Sequence, residues 1–128
     1  MARLLYSEVV QPVQIFGVRK CADTRKAERW FKERRLPLQV VDLAEKGLSA
    51  GELRSVAARV GGFEALADTT GKRWTERGHR YASRKPAELE RLLLDDPLLL
   101  RTPIVRHGGQ RATVGYAPEV WETWQPPP

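Results

Sequence analysis

The feature that most constrains the fold is an apolar stretch that leads directly into the only cysteine of the chain. Residues 13–18 are rich in β-forming side chains, and Gly17 falls near their end, as in a short buried strand. Arg19, Lys20 and Cys21 follow, and a helical pattern begins at residue 22. This order predicts a strand–loop–helix unit with Cys21 at the first turn of the helix.

The position of Cys21 favours a reactive thiolate. The first turn of a helix has N–H groups without intrahelical partners, and these groups stabilise an anion. Arg19 and Lys20 add positive charge, so we expect the pKa of the thiol to be lowered, and the thiolate is the nucleophile. The alternative is that a lone cysteine is a small buried hydrophobe. The charged neighbours, which also include Asp23 and Arg25, favour the reactive interpretation.

The composition limits the classes of protein to which this chain can belong. A chain of 128 residues, with 41% hydrophobic and 30% charged side chains, is suited to one globular domain with a core. A single cysteine excludes an internal disulfide, so we expect a cytoplasmic protein. The sequence shows neither a secretory signal nor an apolar stretch of membrane-spanning length, so we expect no membrane association.

The basic charge balance is a weak indication of nucleic-acid binding. The net charge is +6 and the pI is about 9.9, which permits a polyanionic partner. However, the cations are spread along the chain, and aromatic residues are not interleaved with them as in a single-strand binder. A solvated surface or a site for a small anion is favoured, and nucleic-acid binding ranks last.

The order of predicted elements indicates an α/β fold. Strands are predicted at residues 13–18, 38–43, 102–107 and 111–116. Helices are predicted at residues 22–35, after a capping box at residues 49–52, from Pro86, and from Pro118. In the last helix Val120, Trp121 and Trp124 are expected to face inward. The order βαβα, helical insert, ββα predicts a thioredoxin-like four-stranded mixed sheet. In such a sheet the loop after the first strand is the expected site.

One domain is predicted, flanked by short terminal segments. Residues 13–125 form the domain, with the helical insert at about residues 63–100. Residues 1–12 read as an extension, either an arm or an added edge strand, and residues 126–128 read as a tail.

The two histidines are weaker candidates for the site. Neither His79 nor His107 has a metal-ligand partner at suitable spacing, so no metal site is predicted. Both are expected at the surface. A catalytic pair between Cys21 and His107 is a minor alternative, because the third strand is expected to lie near the active loop.

Three segments of the sequence occur in a recognisable order. Residues 15–21 read Ile-Phe-Gly-Val-Arg-Lys-Cys and run into a helix. Residues 64–74 read Glu-Ala-Leu-Ala-Asp-Thr-Thr-Gly-Lys-Arg-Trp, and residues 100–105 read Leu-Arg-Thr-Pro-Ile-Val, followed by Val-Gly-Tyr at residues 114–116. Together, over about residues 13–124, they resemble the ArsC/Spx family of glutaredoxin-linked arsenate reductases and their relatives.

The resemblance implies a reaction and a set of site residues. Cys21 would attack arsenate as a thiolate, and the adduct would be resolved by glutathione as co-substrate and then by glutaredoxin, with no bound cofactor. Pro103 would follow a cis peptide bond and lie beside Cys21. The small oxyanion would be held by the residues around the thiol, namely Arg19, Lys20, Ala22, Asp23, Thr24, Arg25, Arg101, Thr102 and Pro103.

Three positions depart from the arsenate reductases of that family. Thr70 and Thr102 stand where the family carries oxyanion-binding arginines, and the third arginine falls near Val114. Threonine cannot supply the bidentate, permanently charged contact of a guanidinium. The candidate substitutes from nearby positions are Arg19, Arg73, Arg101 and Arg106. A thiol site therefore stays predicted, whereas arsenate as its substrate does not follow from the resemblance.

The Spx regulators of the same family suggest a second function. They carry a C-x-x-C pair and bind RNA polymerase, but Thr24 occupies the second cysteine position here, which excludes an intramolecular disulfide switch. Two hypotheses follow. The protein is either a single-cysteine thiol oxidoreductase that depends on glutathione or glutaredoxin, or a non-catalytic module that contacts a protein partner such as RNA polymerase.

Overall fold

A four-stranded mixed sheet organises the molecule. The computed structural model describes residues 12–124, and its strands are β1 (Val13–Gly17), β2 (Leu38–Asp42), β3 (Ile104–His107) and β4 (Arg111–Val114). Their order in the sheet is β2-β1-β3-β4. β1 pairs in parallel with β2 and antiparallel with β3, and β4 pairs antiparallel with β3. The sheet confirms the thioredoxin-like fold predicted from the sequence.

Helices cover both faces of the sheet. They are α1 (Ala22–Glu33), α2 (Ala50–Val60), α3 (Phe63–Leu66), α4 (Lys72–Glu76), α5 (Pro86–Asp95) and α6 (Pro118–Trp121), with 3₁₀ turns at Pro97–Leu99 and Glu122–Trp124. The predicted capping box is present, since the Ser49 side chain accepts from the Glu52 N–H and the Glu52 side chain accepts from the Ser49 N–H. α2 ends at Gly61, whose φ of 102° is a left-handed conformation that suits glycine.

Successive side chains of a strand point to opposite faces of the sheet, so the core consists of two clusters, one on each face. On one face, Ile15 and Val105 pack with Trp30 and Phe31 of α1 and with Trp121 of α6. On the other face, the neighbouring positions Phe16 and Ile104 pack against the helical insert, including its buried Trp74, Leu89 and Leu93. β1 is therefore buried on both of its faces, and its carboxyl end lies between the two core clusters.

Several local predictions need correction or fall outside the described residues. Val120 is 39% exposed, so its predicted inward orientation is wrong, because only one position of the four-residue α6, Trp121, is fully buried. The polar stretch after residue 72 forms the short α4 around Trp74, which is 1% exposed. The predicted tail lies outside the described residues, as does the predicted extension apart from Pro12. Within residues 12–124, no helix combines the length and the apolar character that crossing a membrane requires.

Candidate active site

Cys21 is the residue that immediately precedes α1. Its backbone is extended (φ −77°, ψ 118°), and its carbonyl accepts from the Arg25 N–H at 3.2 Å, which begins the helical pattern. The Cys21 N–H donates to the Val18 carbonyl at 3.1 Å, so the loop between β1 and α1 closes tightly. The thiol therefore lies at the carboxyl end of β1 and over the free N–H groups of α1, as the sequence predicts.

The opposite wall of the site is the peptide before β3. The Thr102–Pro103 bond is cis, which confirms the predicted geometry, and Pro103 is buried. The Cys21 Sγ lies 3.6 Å from the Thr102 carbonyl oxygen, to which the protonated thiol donates. This contact spans the sheet from β1 to β3 and brings together residues 81 positions apart in the chain.

The surroundings of Cys21 lower the pKa of its thiol. Partial burial of the sulfur raises the pKa and is the largest single influence, but several donors together outweigh it. These donors are the hydroxyls of Thr102 and Thr24 and the backbone N–H groups of Thr24 and Asp23. The groups at the start of α1 and at Thr102 thus favour the thiolate over the protonated thiol.

Thr24 is unusual because its hydroxyl is buried without a partner. The residue is 4% exposed, and its Oγ1 has no hydrogen-bond partner within the part of the chain that the structure describes. Gly17 makes room for it, since a Cβ on Gly17 would lie 2.5 Å from both Oγ1 and Cγ2 of Thr24. A buried hydroxyl normally needs a partner. A thiolate at Cys21 would be a strong acceptor for it, because hydrogen bonds to charged groups are the stronger ones.

An open cleft gives access to the thiol. It has a volume of about 400 Å³ and is called the Cys21 cleft here, lined by Cys21, Asp68, Thr70, Leu100, Arg101, Thr102, Val114 and Gly115. Arg101 supplies its cation, and the guanidinium Nε donates to the Ala67 carbonyl at 3.1 Å. Asp68 supplies a carboxylate to the same cleft. Apart from the thiol itself, the Cys21 cleft therefore carries one formal charge of each sign.

The predicted site residues separate into two groups. Arg101 and Thr102 share the Cys21 cleft with the thiol, and Ala22, Asp23 and Thr24 form the first turn of α1. The predicted cations at Arg19 and Arg25 instead line a second depression of about 570 Å³, on the side of α1 that faces β2. There the Arg25 side chain donates to the Arg19 carbonyl at 2.6 Å. Lys20 is exposed in the loop.

The three departures from the family pattern all lie at the site. Thr70, Thr102 and Val114 line the Cys21 cleft, although they come from three separate segments of the chain. Of the arginines considered as substitutes, Arg73 instead forms an ion pair with Asp96, with 2.9 Å between its terminal nitrogen and a carboxylate oxygen. Arg106 donates to the Gln14 side chain at 2.8 Å. Arg101 is thus the one substitute from that set that lines the Cys21 cleft.

Asp68 was not among the residues predicted for the site. It reaches the Cys21 cleft because Ala67 forms an antiparallel bridge with Leu100 and brings the loop after α3 against the segment before β3. The sequence gives only a modest indication of this role. Asp68 lies two residues before Thr70, which stands where the family carries an arginine.

The histidines lie away from the thiol. His107 is the register partner of Val13, at the opposite end of β1 from Cys21, so the alternative of a Cys21–His107 pair is excluded. His79 packs beside Trp74 in the insert, with 5.3 Å between the ring centroids. Among residues 12–124, no group of three or more His, Cys, Asp or Glu is arranged to hold a metal ion.

Comparison with known proteins agrees with this architecture. Residues 16–124 match the model of the ArsC family. The chain is 29% identical over 105 residues to the global transcriptional regulator Spx 2 of Oceanobacillus iheyensis, covering 81% of this chain and 76% of that protein.

Two solved structures share the fold. An ArsC-family-related protein from Bacteroides fragilis superposes with a TM-score of 0.78 at 19% identity, covering 91% of this chain and 99% of the other. An arsenate reductase from Vibrio cholerae superposes with a TM-score of 0.72 at 23% identity, covering 85% and 93%. Because the family model spans nearly the whole described region, from β1 to the end of the last turn, the chain belongs to the ArsC family.

Proposed function

We propose that this protein is a single-cysteine thiol oxidoreductase in which the Cys21 thiolate exchanges with glutathione disulfides. The observation that carries the proposal is the environment of the sulfur. The pKa of the thiol is lowered by donors at the start of α1 and from Thr102, and the buried Thr24 hydroxyl among them has no other partner. A lowered pKa increases the fraction of Cys21 present as the nucleophilic thiolate, and the cleft beside the sulfur is open to a substrate.

The exchange requires only one cysteine on the protein. The Cys21 thiolate attacks one sulfur of a mixed disulfide between glutathione and another thiol. The new bond joins Cys21 to glutathione, the old disulfide breaks, and the other thiol leaves as a thiolate that takes a proton from water. A second glutathione thiolate, or a glutaredoxin thiolate, then attacks the glutathione sulfur on Cys21. The products are the regenerated Cys21 thiolate and a new disulfide, so two electrons pass from glutathione or glutaredoxin to the substrate.

Arsenate suits the cleft less well than a disulfide does. An oxyanion with more than one negative charge needs several positively charged donors. Thr70, Thr102 and Val114 supply no positive charge, and Arg101 shares the cleft with the Asp68 carboxylate. We therefore place arsenate second to glutathione disulfides as a substrate for Cys21.

Mass spectrometry of the intact protein tests the proposal. The protein is incubated with glutathione disulfide, and separately with arsenate followed by glutathione, with Cys21→Ser as the matched control. One glutathione per wild-type chain, removable by reductant and absent from Cys21→Ser, is the expected result. No adduct on wild type at neutral pH under either condition would refute the proposed chemistry.

A second candidate function is a regulatory contact with a protein. It is favoured by the similarity to the Spx 2 regulator, which is higher in sequence identity than that to the structural relatives cited above. In this function RNA polymerase would bind a surface of the domain independently of the thiol. Retention by immobilised RNA polymerase of both wild type and Cys21→Ser would support it, and lack of retention of both would exclude it.

A further inference from the structure

Two opposite charges line the Cys21 cleft together with the thiol. Asp68 follows α3, Arg101 precedes β3, and both line the cleft with the sulfur. We propose that this pair makes the site selective for a zwitterionic disulfide, with a substrate ammonium group facing Asp68 and a substrate carboxylate facing Arg101. This inference rests on the proposed function, because it names the residues that select the substrate of the same thiol.

The backbone fixes the two charged residues relative to each other. Ala67 and Leu100 form an antiparallel bridge, the Arg101 N–H donates to the Leu66 carbonyl at 2.7 Å, and the Asp68 N–H donates to the Leu99 carbonyl at 2.9 Å. Asp68 and Arg101 are therefore diagonal neighbours across this short ladder. In a regular antiparallel pair such residues lie about 7–8 Å apart. That spacing leaves room for a ligand whose two charged groups are separated by several bonds.

The Arg101 guanidinium and the Asp68 carboxylate can both still bind groups of a ligand. The Arg101 Nε donates to the Ala67 carbonyl, which fixes the guanidinium plane and leaves its two terminal nitrogens for other acceptors. The Asp68 carboxylate makes no ion pair with any cation within residues 12–124, although the protein is rich in arginine and lysine. An unpaired carboxylate beside a reactive sulfur is a site for a substrate cation rather than for an oxyanion.

The place and size of the cleft also fit a substrate of this class. The Thr24 hydroxyl is 4% exposed and has no hydrogen-bond partner in the described part of the chain, and it is one of the groups that lower the pKa of the Cys21 thiol. A volume of about 400 Å³ lies within the range of small-molecule sites. Glutathione disulfide has the required chemistry, because each half carries an ammonium group and carboxylates.

The experiment compares glutathione disulfide with its N-acetylated form, in which the ammonium groups are blocked, and uses a neutral disulfide as the reference. Rates of exchange with Cys21 are measured at one pH and salt concentration for glutathione disulfide and for its N-acetylated form, each relative to bis(2-hydroxyethyl) disulfide. In each reaction the Cys21 thiolate forms a disulfide with one half and the other half leaves as a thiolate. Wild type is expected to prefer glutathione disulfide to the N-acetylated form by about fivefold or more, the size of one modest charged contact.

Variants assign the preference to the charge pair. Asp68→Asn is expected to abolish the preference for the free ammonium group, whereas Asp68→Glu, which keeps the carboxylate, is expected to retain it. Arg101→Gln is expected to slow both glutathione compounds relative to the neutral disulfide. Asp95→Asn is the matched control, because it removes an equally charged but exposed side chain on α5 that does not line the Cys21 cleft.

The outcomes separate this inference from the proposed function. Two results overturn the charge-pair inference alone, provided that Cys21 exchanges with all three disulfides. One is that wild type shows no preference for the free ammonium group. The other is that Asp68→Asn and Asp95→Asn show the same ratio of rates for glutathione disulfide and its N-acetylated form. Exchange with none of them overturns the proposed function as well. If Asp68→Asn does not fold, wild type and Asp68→Glu are compared on the two glutathione compounds. Absence of the preference from wild type contradicts the inference. Loss of the preference in a folded Asp68→Glu protein contradicts it as well.

Discussion

The Thr24 hydroxyl is buried without a hydrogen-bond partner among the described residues, and it is one of the groups that lower the pKa of the Cys21 thiol. The two residues are three positions apart: Cys21 directly precedes α1, and Thr24 lies in the first turn of α1. A hydroxyl in this state costs stability while the thiol is protonated, and it can donate once the sulfur is an anion. Thr24 thus links the stability of the fold to the reactivity of the thiol.

Replacement of Thr24 by valine separates the two effects. Thr24→Val keeps the shape of the side chain and removes the donor, so the pKa of Cys21 is expected to rise. At pH 7 the alkylation rate of Cys21 by iodoacetamide should fall about fivefold, which corresponds to one hydrogen bond of about 1 kcal/mol. The free energy of unfolding should stay equal or rise by about 1 kcal/mol, because an unsatisfied buried hydroxyl is lost. A variant that is both less stable and equally reactive would contradict this account of Thr24.

Gly17 is expected to tolerate no larger residue. A Cβ at this position would lie 2.5 Å from two side-chain atoms of Thr24, whose branched side chain has little freedom in a helix. Gly17→Ala should therefore lower the free energy of unfolding by about 1–3 kcal/mol and slow the alkylation of Cys21. The control is Gly51→Ala on α2, where a Cβ would meet nothing within 4 Å and the helix should be stabilised by about 0.5–1 kcal/mol.

The double variant decides the cause of the Gly17 effect. Truncation of Thr24 to alanine removes the two atoms that a Cβ on Gly17 would approach most closely, Oγ1 and Cγ2, and leaves only the Thr24 Cβ at 3.1 Å. Gly17→Ala with Thr24→Ala should recover most of the stability lost in Gly17→Ala, as measured by urea unfolding. Simple addition of the two single effects would show that the contact with Thr24 is not the reason.

Restoring a cation at Thr70 should increase oxyanion binding. Thr70 is exposed and lines the Cys21 cleft, so an arginine there can reach a bound anion and offset the Asp68 charge. In Thr70→Arg the concentration of arsenate that protects Cys21 from alkylation by half should fall about fivefold, or about 1 kcal/mol. Thr75→Arg on α4 adds the same charge outside the cleft and should change protection little. Equal protection in both variants would mean that only the net charge of the protein matters.

The hydrogen bond between Trp121 and Thr113 tests the fold apart from the site. The Trp121 Nε1–H donates to the Thr113 Oγ1 at 2.7 Å, and both residues are buried. Thr113→Val leaves the indole N–H without a partner and should cost about 1–3 kcal/mol in unfolding free energy. Cys21 alkylation in the folded variant should match wild type. Thr123→Val, which removes an exposed hydroxyl, is the control and should cost less than about 0.5 kcal/mol.

The elements that sequence patterns predicted well are those fixed by local physics. The strand before Gly17, the capping box at Ser49 and the helix that begins with Pro86 follow from apolar spacing and backbone constraints, and the structure contains all three. The cis bond before Pro103 followed from the family resemblance. Helix α1 was predicted two residues too long. It ends at Glu33, and Arg35 then takes a positive φ of 57°, which no side-chain pattern signals.

The site was predicted less completely, because its composition depends on long-range contacts. Proximity in sequence suggested that Arg19 and Arg25 surround the thiol, but they line the side of α1 that faces β2. Asp68 lines the Cys21 cleft only because of the bridge between Ala67 and Leu100, a pairing that a single sequence does not reveal. The unpartnered state of Thr24 depends on how closely α1 packs on Gly17 and is visible only in three dimensions.

The pH dependence of Cys21 alkylation tests the central claim most directly. Donors at the start of α1 and from Thr102 outweigh burial and lower the pKa of the thiol, so the thiolate forms at a lower pH than in a free cysteine. The alkylation rate of wild type should reach half its maximum below about pH 8.5, the ordinary pKa of a cysteine, and the midpoint for Thr24→Val should lie higher than that of wild type. A wild-type midpoint at or above about pH 8.5 would show that Cys21 is an ordinary thiol and would contradict the proposed nucleophile.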